Sequence, residues 1–227
     1  MESLRQMASA QSLRTMMVDT QVRPSDVTKF PIIAAMLDVP REVHVPSAAL
    51  AVAYMDAPIA LGGGREMLEA RVLAKMLDAL DVELDESVLI VGGGLGYSAA
   101  LLARMAESVV VVEEDAALAM EAEATLTAHD VMNAVVLTAP LTKGAPKAAP
   151  FDVILIEGGV EDVPADLLSQ LRPGGRLVTI FMDGVLGEVR VGRRIPDADG
   201  GHVAWRFDFN AVAPVLPGFS RARTFAL

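Results

Sequence analysis

Apolar residues in this chain fall into two textures that meet near residue 65. Before it, Leu4, Met7, Leu13, Met16 and Met17 recur at roughly helical spacing until Pro24 interrupts. Ser25 and Asp26 offer a helix cap ahead of Val27 and Thr28, and the apolar stretch 30–37 predicts a short helix that ends before Pro40. After it, helical and continuous apolar runs alternate. Residues 66–80 carry Met67, Leu68, Ala70, Leu73, Ala74, Met76, Leu77 and Leu80, the period of a long amphipathic helix. Mostly apolar segments at 87–91, 108–112, 134–138, 152–156 and 176–180 predict buried parallel strands, and 97–105, 116–129 and 164–171 predict the helices around them. Such alternation implies βαβ units, right-handed crossovers and a parallel sheet. Past Gly184 it stops, and 188–194, 203–209 and 224–227 read as strands added antiparallel at one sheet edge. The expected class is α/β: a mostly parallel, doubly wound sheet with antiparallel C-terminal strands. A helical extension over 1–64 packs on a core of 65–227, one structural domain overall.

Composition narrows the function. Of 227 residues, 52% are hydrophobic and 22% charged, which excludes a disordered chain. A net charge of −11 without a visible basic patch argues against a nucleic-acid partner. The absence of Cys excludes thiolate nucleophiles and Cys-ligated metals, and His44, His129 and His202 lack any metal-binding spacing, so no metal is expected. No apolar run approaches the ~20 residues of a membrane span. Met1 to Met7 carries acid and polar residues where a signal peptide has an apolar block. A soluble cytoplasmic protein is the expectation, with a homodimer through the C-terminal sheet edge compatible with the apolar content.

The chemistry concentrates after the first predicted parallel strand. Gly92, Gly93, Gly94 and Gly96 open a helix at Tyr97 and Ser98. Glycines there permit a tight turn and let a ligand approach the backbone, although a ligand-free strand–helix turn uses the same residues. Tyr97 stands where the dinucleotide fingerprint needs its third glycine. About 20 residues on, Glu113 ends the next strand, where an acid accepts hydrogen bonds from both ribose hydroxyls of an adenosine-containing ligand. Glu113, Glu114 and Asp115 together also make a solvated helix start favoured by the helix dipole. Dinucleotide and S-adenosylmethionine both remain open on these grounds.

Three further segments separate them. Residues 36–46 (MLDVPREVHVP), 53–56 (AYMD) and 150–154 (PFDVI), with the glycine loop 92–100 and the run 163–178, resemble the protein-L-isoaspartate O-methyltransferase family, in order from about residue 13 to 180. The resemblance implies a Rossmann-like class I methyltransferase fold with S-adenosylmethionine at the carboxyl ends of the strands. It implies a protein or peptide carboxylate as methyl acceptor, isoaspartyl residues of damaged proteins among the candidates. The implied cofactor set is Gly92, Gly93, Gly94, Gly96, Tyr97, Ser98, Glu113 and Glu157.

Several positions depart from the family pattern. Its active-site Gly-x-Thr-Ile-Ser-x-Pro reads here as 64–70 (GREMLEA), so that Leu68 replaces the hydroxyl residue and Ala70 the proline. Ile90 replaces an acid, and Ala139-Pro140-Leu141 replaces the Gly-Asp-Gly that meets adenine. Arg65, Glu66 and Leu68 are the substrate-side candidates, Arg65 as a partner for a substrate carboxylate or as a surface arginine at a helix start. Two other readings stand beside the methyltransferase. One is a non-catalytic descendant kept as a binding or regulatory module, which the apolar replacements favour. The other is an NAD-dependent oxidoreductase, which lacks the third glycine and a catalytic Tyr–Lys or His–acid pair.

Overall fold

The computed structural model describes residues 2–196 and 201–221, with side chains from residue 9 onward. The five predicted parallel strands form as β3 (Ser87–Val91), β4 (Ser108–Glu113), β5 (Ala134–Thr138), β6 (Phe151–Val160) and β7 (Leu171–Asp183), and two more follow, β8 (Leu186–Ile195) and β9 (His202–Asn210). They make one seven-stranded sheet in the order β5-β4-β3-β6-β7-β8-β9. Neighbours from β5 to β7 run parallel, and β8 and β9 add antiparallel at the edge. The strand expected at 224–227 lies outside the described residues.

Alternate residues of the central strands serve two separate cores. Val88, Ile90, Val109, Val111, Val153 and Leu155 face one cluster, while Leu89, Val91, Val112, Ile154 and Ile156 face the other. This is why those runs are apolar at every position. The first face is covered by the N-terminal half: α1 (Glu2–Met17), α2 (Phe30–Asp38), α3 (Ala70–Leu80) and α4 (Tyr97–Leu102). The second is covered by the turn at Leu141, by α6 (Ala165–Leu168) and by a return of the chain through Leu216 and Phe219. The remaining helix, α5 (Ala116–Ala128), joins β4 to β5.

Three local expectations are corrected. The long helix at 66–80 begins only at Ala70. Ahead of it, β1 (Ile59–Gly62) and β2 (Arg65–Met67) pair antiparallel around Gly63-Gly64. Met67 and Leu68 are buried either way, so apolar period alone could not distinguish the two arrangements. This ribbon also spans the 64/65 position at which the sequence changes texture. Ser25-Asp26 does not cap α2: Asp26 turns left-handed at φ 65° and Lys29 is the N-cap. The helices expected at 97–105 and 164–171 are shorter, because 3₁₀-like turns and the start of β7 take their last residues.

Candidate active site

The strand order reverses between β3 and β6, whose chain neighbours lie on opposite sides, and this opens a crevice at their carboxyl ends. The glycine loop leaves β3 there. Gly92, Gly94 and Gly96 all have positive φ (81°, 52° and 83°), and a Cβ on Gly93 would lie 2.4 Å from Val111 Cγ1. Only glycine fits this turn at all four positions.

Glu113 ends β4 beside the loop and is fully buried. Its carboxylate accepts backbone N–H groups of Gly94 (2.9 Å), Glu114 (2.9 Å) and Asp115 (3.1 Å). The three consecutive acids therefore have separate duties. Glu114 is exposed and accepts from the Leu141 amide at 3.3 Å, and Asp115 caps α5 by accepting from Ala117 and Leu118.

Arg65 lies inside the crevice and not at a helix start. Its guanidinium forks onto both Glu113 oxygens (Nη1–Oε1 2.7 Å, Nη2–Oε2 3.1 Å), and Nη2 also donates to the Gly92 carbonyl at 2.8 Å. Leu61, from the same ribbon, stands 2.6 Å from where a Gly94 Cβ would be. Leu216 stands 2.6 Å from the corresponding point on Gly158, held there by hydrogen bonds between Leu216 N and Gly159 O and between Gly159 N and Pro214 O, both 2.9 Å.

Glu157 is brought to the same crevice by a bulge. Between Leu155 and Gly159, four residue steps on β6 face two on β7, from Val178 to Ile180, which breaks the pairing of 156–158 with β7. Its carboxyl is buried and accepts from Ser98 Oγ, so Ser98 does not cap α4, whose N-cap is Gly96. Burial pushes the Glu157 pKa up to about 7, against the pull of the Ser98 hydrogen bond and of Arg65.

The other sequence candidates sit elsewhere. Tyr97 points into the core beneath the guanidinium of Arg41, at 4.8 Å, and beside the His44 ring. Glu66 pairs across the ribbon with Ala60 and is half-buried. Leu68 packs in the core, and its carbonyl accepts from Arg41 at 2.7 Å. Ile90 is enclosed in the core, and Pro140 is exposed at the turn after β5. Among the described residues, no group of His, Asp and Glu is arranged to hold a metal, and no helix is long and apolar enough to cross a membrane.

A buried carboxylate closing the strand next to a glycine loop, in this strand order, directs attention to methyltransferases. The family model for protein-L-isoaspartate(D-aspartate) O-methyltransferase matches residues 14–184. The chain belongs to this family. A protein-L-isoaspartate O-methyltransferase of Pelotomaculum thermopropionicum is 38% identical over 189 residues, covering 83% of this chain and 82% of the relative. One of Syntrophus aciditrophicus is 39% identical over 168 residues, covering 74% and 77%. A solved Plasmodium falciparum structure, described as a protein-L-isoaspartate O-methyltransferase in complex with S-adenosyl-L-homocysteine, shares the fold at TM-score 0.74 and 16% identity, covering 91% of this chain and 97% of that one. As a family member the chain is an S-adenosylmethionine-dependent O-methyltransferase with the Rossmann-like fold. Its donor chemistry suits that cofactor: a bare glycine turn, and a buried carboxylate already oriented by three backbone amides. The space beside them is taken, in this conformation, by Arg65, Leu61 and Leu216.

Arg65, Leu61 and Leu216 had no cofactor-side signal in the sequence. The one available hint was the Gly62-Gly63-Gly64 turn, which marks a reversal of the chain directly before Arg65.

Proposed function

We propose that this protein methylates isoaspartyl-type side-chain carboxylates of proteins or peptides. The observation that carries the proposal is Glu113, buried at the end of β4 with its oxygens turned to the glycine loop. In this reading Gly92, Gly93, Gly94 and Gly96 give the cofactor a backbone to lie against, Glu113 accepts its ribose hydroxyls, and Ser98 with Glu157 lines the β6 side. S-adenosylmethionine, when bound, supplies a methyl group on a sulfonium centre. The acceptor carboxylate, with an ordinary pKa near 4, arrives ionised at neutral pH and needs no general base. The protein's work is therefore orientation and exclusion of water.

The test is methyl transfer to an isoaspartyl peptide beside its aspartyl counterpart. Methylation of the isoaspartyl form alone, abolished in Glu113→Ala, is the expected result. Equal transfer to both peptides, or transfer that survives loss of Glu113, would overturn the assignment. A homodimer joined through the edge strand β9 belongs to the same proposal, and sedimentation of the full chain decides it.

A further inference from the structure

Two carboxylate oxygens offer about four lone-pair positions. Glu113 already receives five donors: Arg65 Nη1 and Nη2, and the amides of Gly94, Glu114 and Asp115. The amides belong to the loop and to the start of α5, and they orient the carboxylate. Arg65 comes from the separate ribbon and takes one lone-pair position on each oxygen, the positions a ribose diol would need. Its Nη2 also lies 3.0 Å from the position of a Gly92 Cβ, and Leu61 covers Gly94. Two of the glycines that leave the loop bare for a ligand are thus covered by side chains of one two-stranded ribbon.

The ribbon is anchored at its base, where Ile59 and Met67 are buried in the core, and open at its tip. Gly62, Gly63 and Gly64 form its tip, all at positive φ and exposed, with no atom within 4 Å of any of their Cβ positions. The opposite wall, Leu216, is tied to β6 by main-chain hydrogen bonds on both sides of Gly159. We infer that Arg65 is an internal competitor of the cofactor, holding Glu113 in a closed crevice that opens when the ribbon carries the guanidinium away. This rests on the cofactor reading above. The ligand then meets an equilibrium between closed and open forms, and its apparent affinity falls by the fraction that is open.

The test is calorimetric titration of S-adenosylhomocysteine into the full chain and into Arg65→Ala, with amide hydrogen exchange over 59–67. If the closed form is populated to ~90% or more, Arg65→Ala binds ~10-fold tighter or better, and Arg65→Lys, which keeps a cation but not the fork, falls between. Unliganded Arg65→Ala melts lower than the parent and gains more on ligand addition. In the parent protein, amides of the ribbon lose protection when ligand binds, a readout that needs no variant. Equal or weaker binding by a folded Arg65→Ala, or a ribbon whose protection rises with ligand, overturns the inference and leaves the methyltransferase assignment standing. No binding by either protein at millimolar ligand overturns both and leaves a non-catalytic descendant.

Discussion

Glu157 and His44 are both buried beside the glycine loop and respond to pH with opposite sign. Glu157 is raised from 4.5 to about 7 by burial, so the folded state keeps a proton that the unfolded state releases across that interval. Its contribution to stability is full below pH 4.5 and lost as pH climbs to about 7, on the order of 3 kcal/mol in all. His44 is lowered from 6.5 to about 4 by burial, so its contribution is full above pH 6.5 and lost as pH falls toward 4. Its Nδ1 sits 2.8 Å from the Leu95 carbonyl, which only accepts, so the neutral ring donates there. Over the shared window the two slopes oppose each other. Urea unfolding from pH 4.5 to 7.5 should show Glu157→Gln gaining on the parent as pH rises, and His44→Asn gaining as pH falls. A difference between Glu157→Gln and parent that stays constant over the window would mean that Glu157 is ionised throughout. Sequence alone marked Glu157 as a cofactor candidate and left His44 without a role, because burial depth is a property of the packed chain.

At the scale of elements, the parallel strands were legible because two buried faces leave residues 88–91 of β3 and 153–156 of β6 without a polar position. The ribbon was not. Four residues and three are too few to show an alternating period, and Met67 and Leu68 continue the apolar spacing of α3. Where α3 does end, its carbonyls are met from a distant strand. Arg176 on β7 donates to the carbonyls of Leu80 and Asp81 and forks onto Glu86 at 2.6 and 2.7 Å. Arg176→Met keeps the aliphatic stem but leaves Glu86, only 7% exposed, without its cation, and should cost ~2–3 kcal/mol in denaturant unfolding. Gly93→Ala tests the loop itself. A methyl 2.4 Å from Val111 Cγ1 forces the β3–α4 turn to shift, with an expected loss of ~1–3 kcal/mol. A neutral result would show that the turn has room to relax.

For the whole molecule, charge bears on the reaction more than on the fold. At −11 the protein repels acidic peptides and attracts basic ones, and this long-range term is screened by salt. Raising ionic strength from about 0.01 M to 0.15 M shortens the Debye length from roughly 30 to 8 Å. For acidic isoaspartyl peptides kcat/KM should therefore rise several-fold, and for basic ones it should fall. An identical salt response for both would locate the acidic residues away from the substrate's approach. The Arg65–Glu113 pair, shielded from solvent, should be weakened little by the same change.

The order of strands and helices, the position of the glycine turn and the acid that follows it were fixed by local patterns: apolar period, turn chemistry and a spacing of about 20 residues. These depend on near neighbours along the chain and can be read there. What faces Glu113 depends on a partner 48 residues earlier in sequence, delivered by a ribbon with no strong period of its own. Which apolar side chains cover the bare glycines depends on segments on both sides of the crevice, Leu61 before the sheet and Leu216 after it. Such pairings arise only once the sheet brings distant segments together. The family and its chemistry were therefore legible in the sequence, while the closed state of the crevice was decided by the tertiary structure.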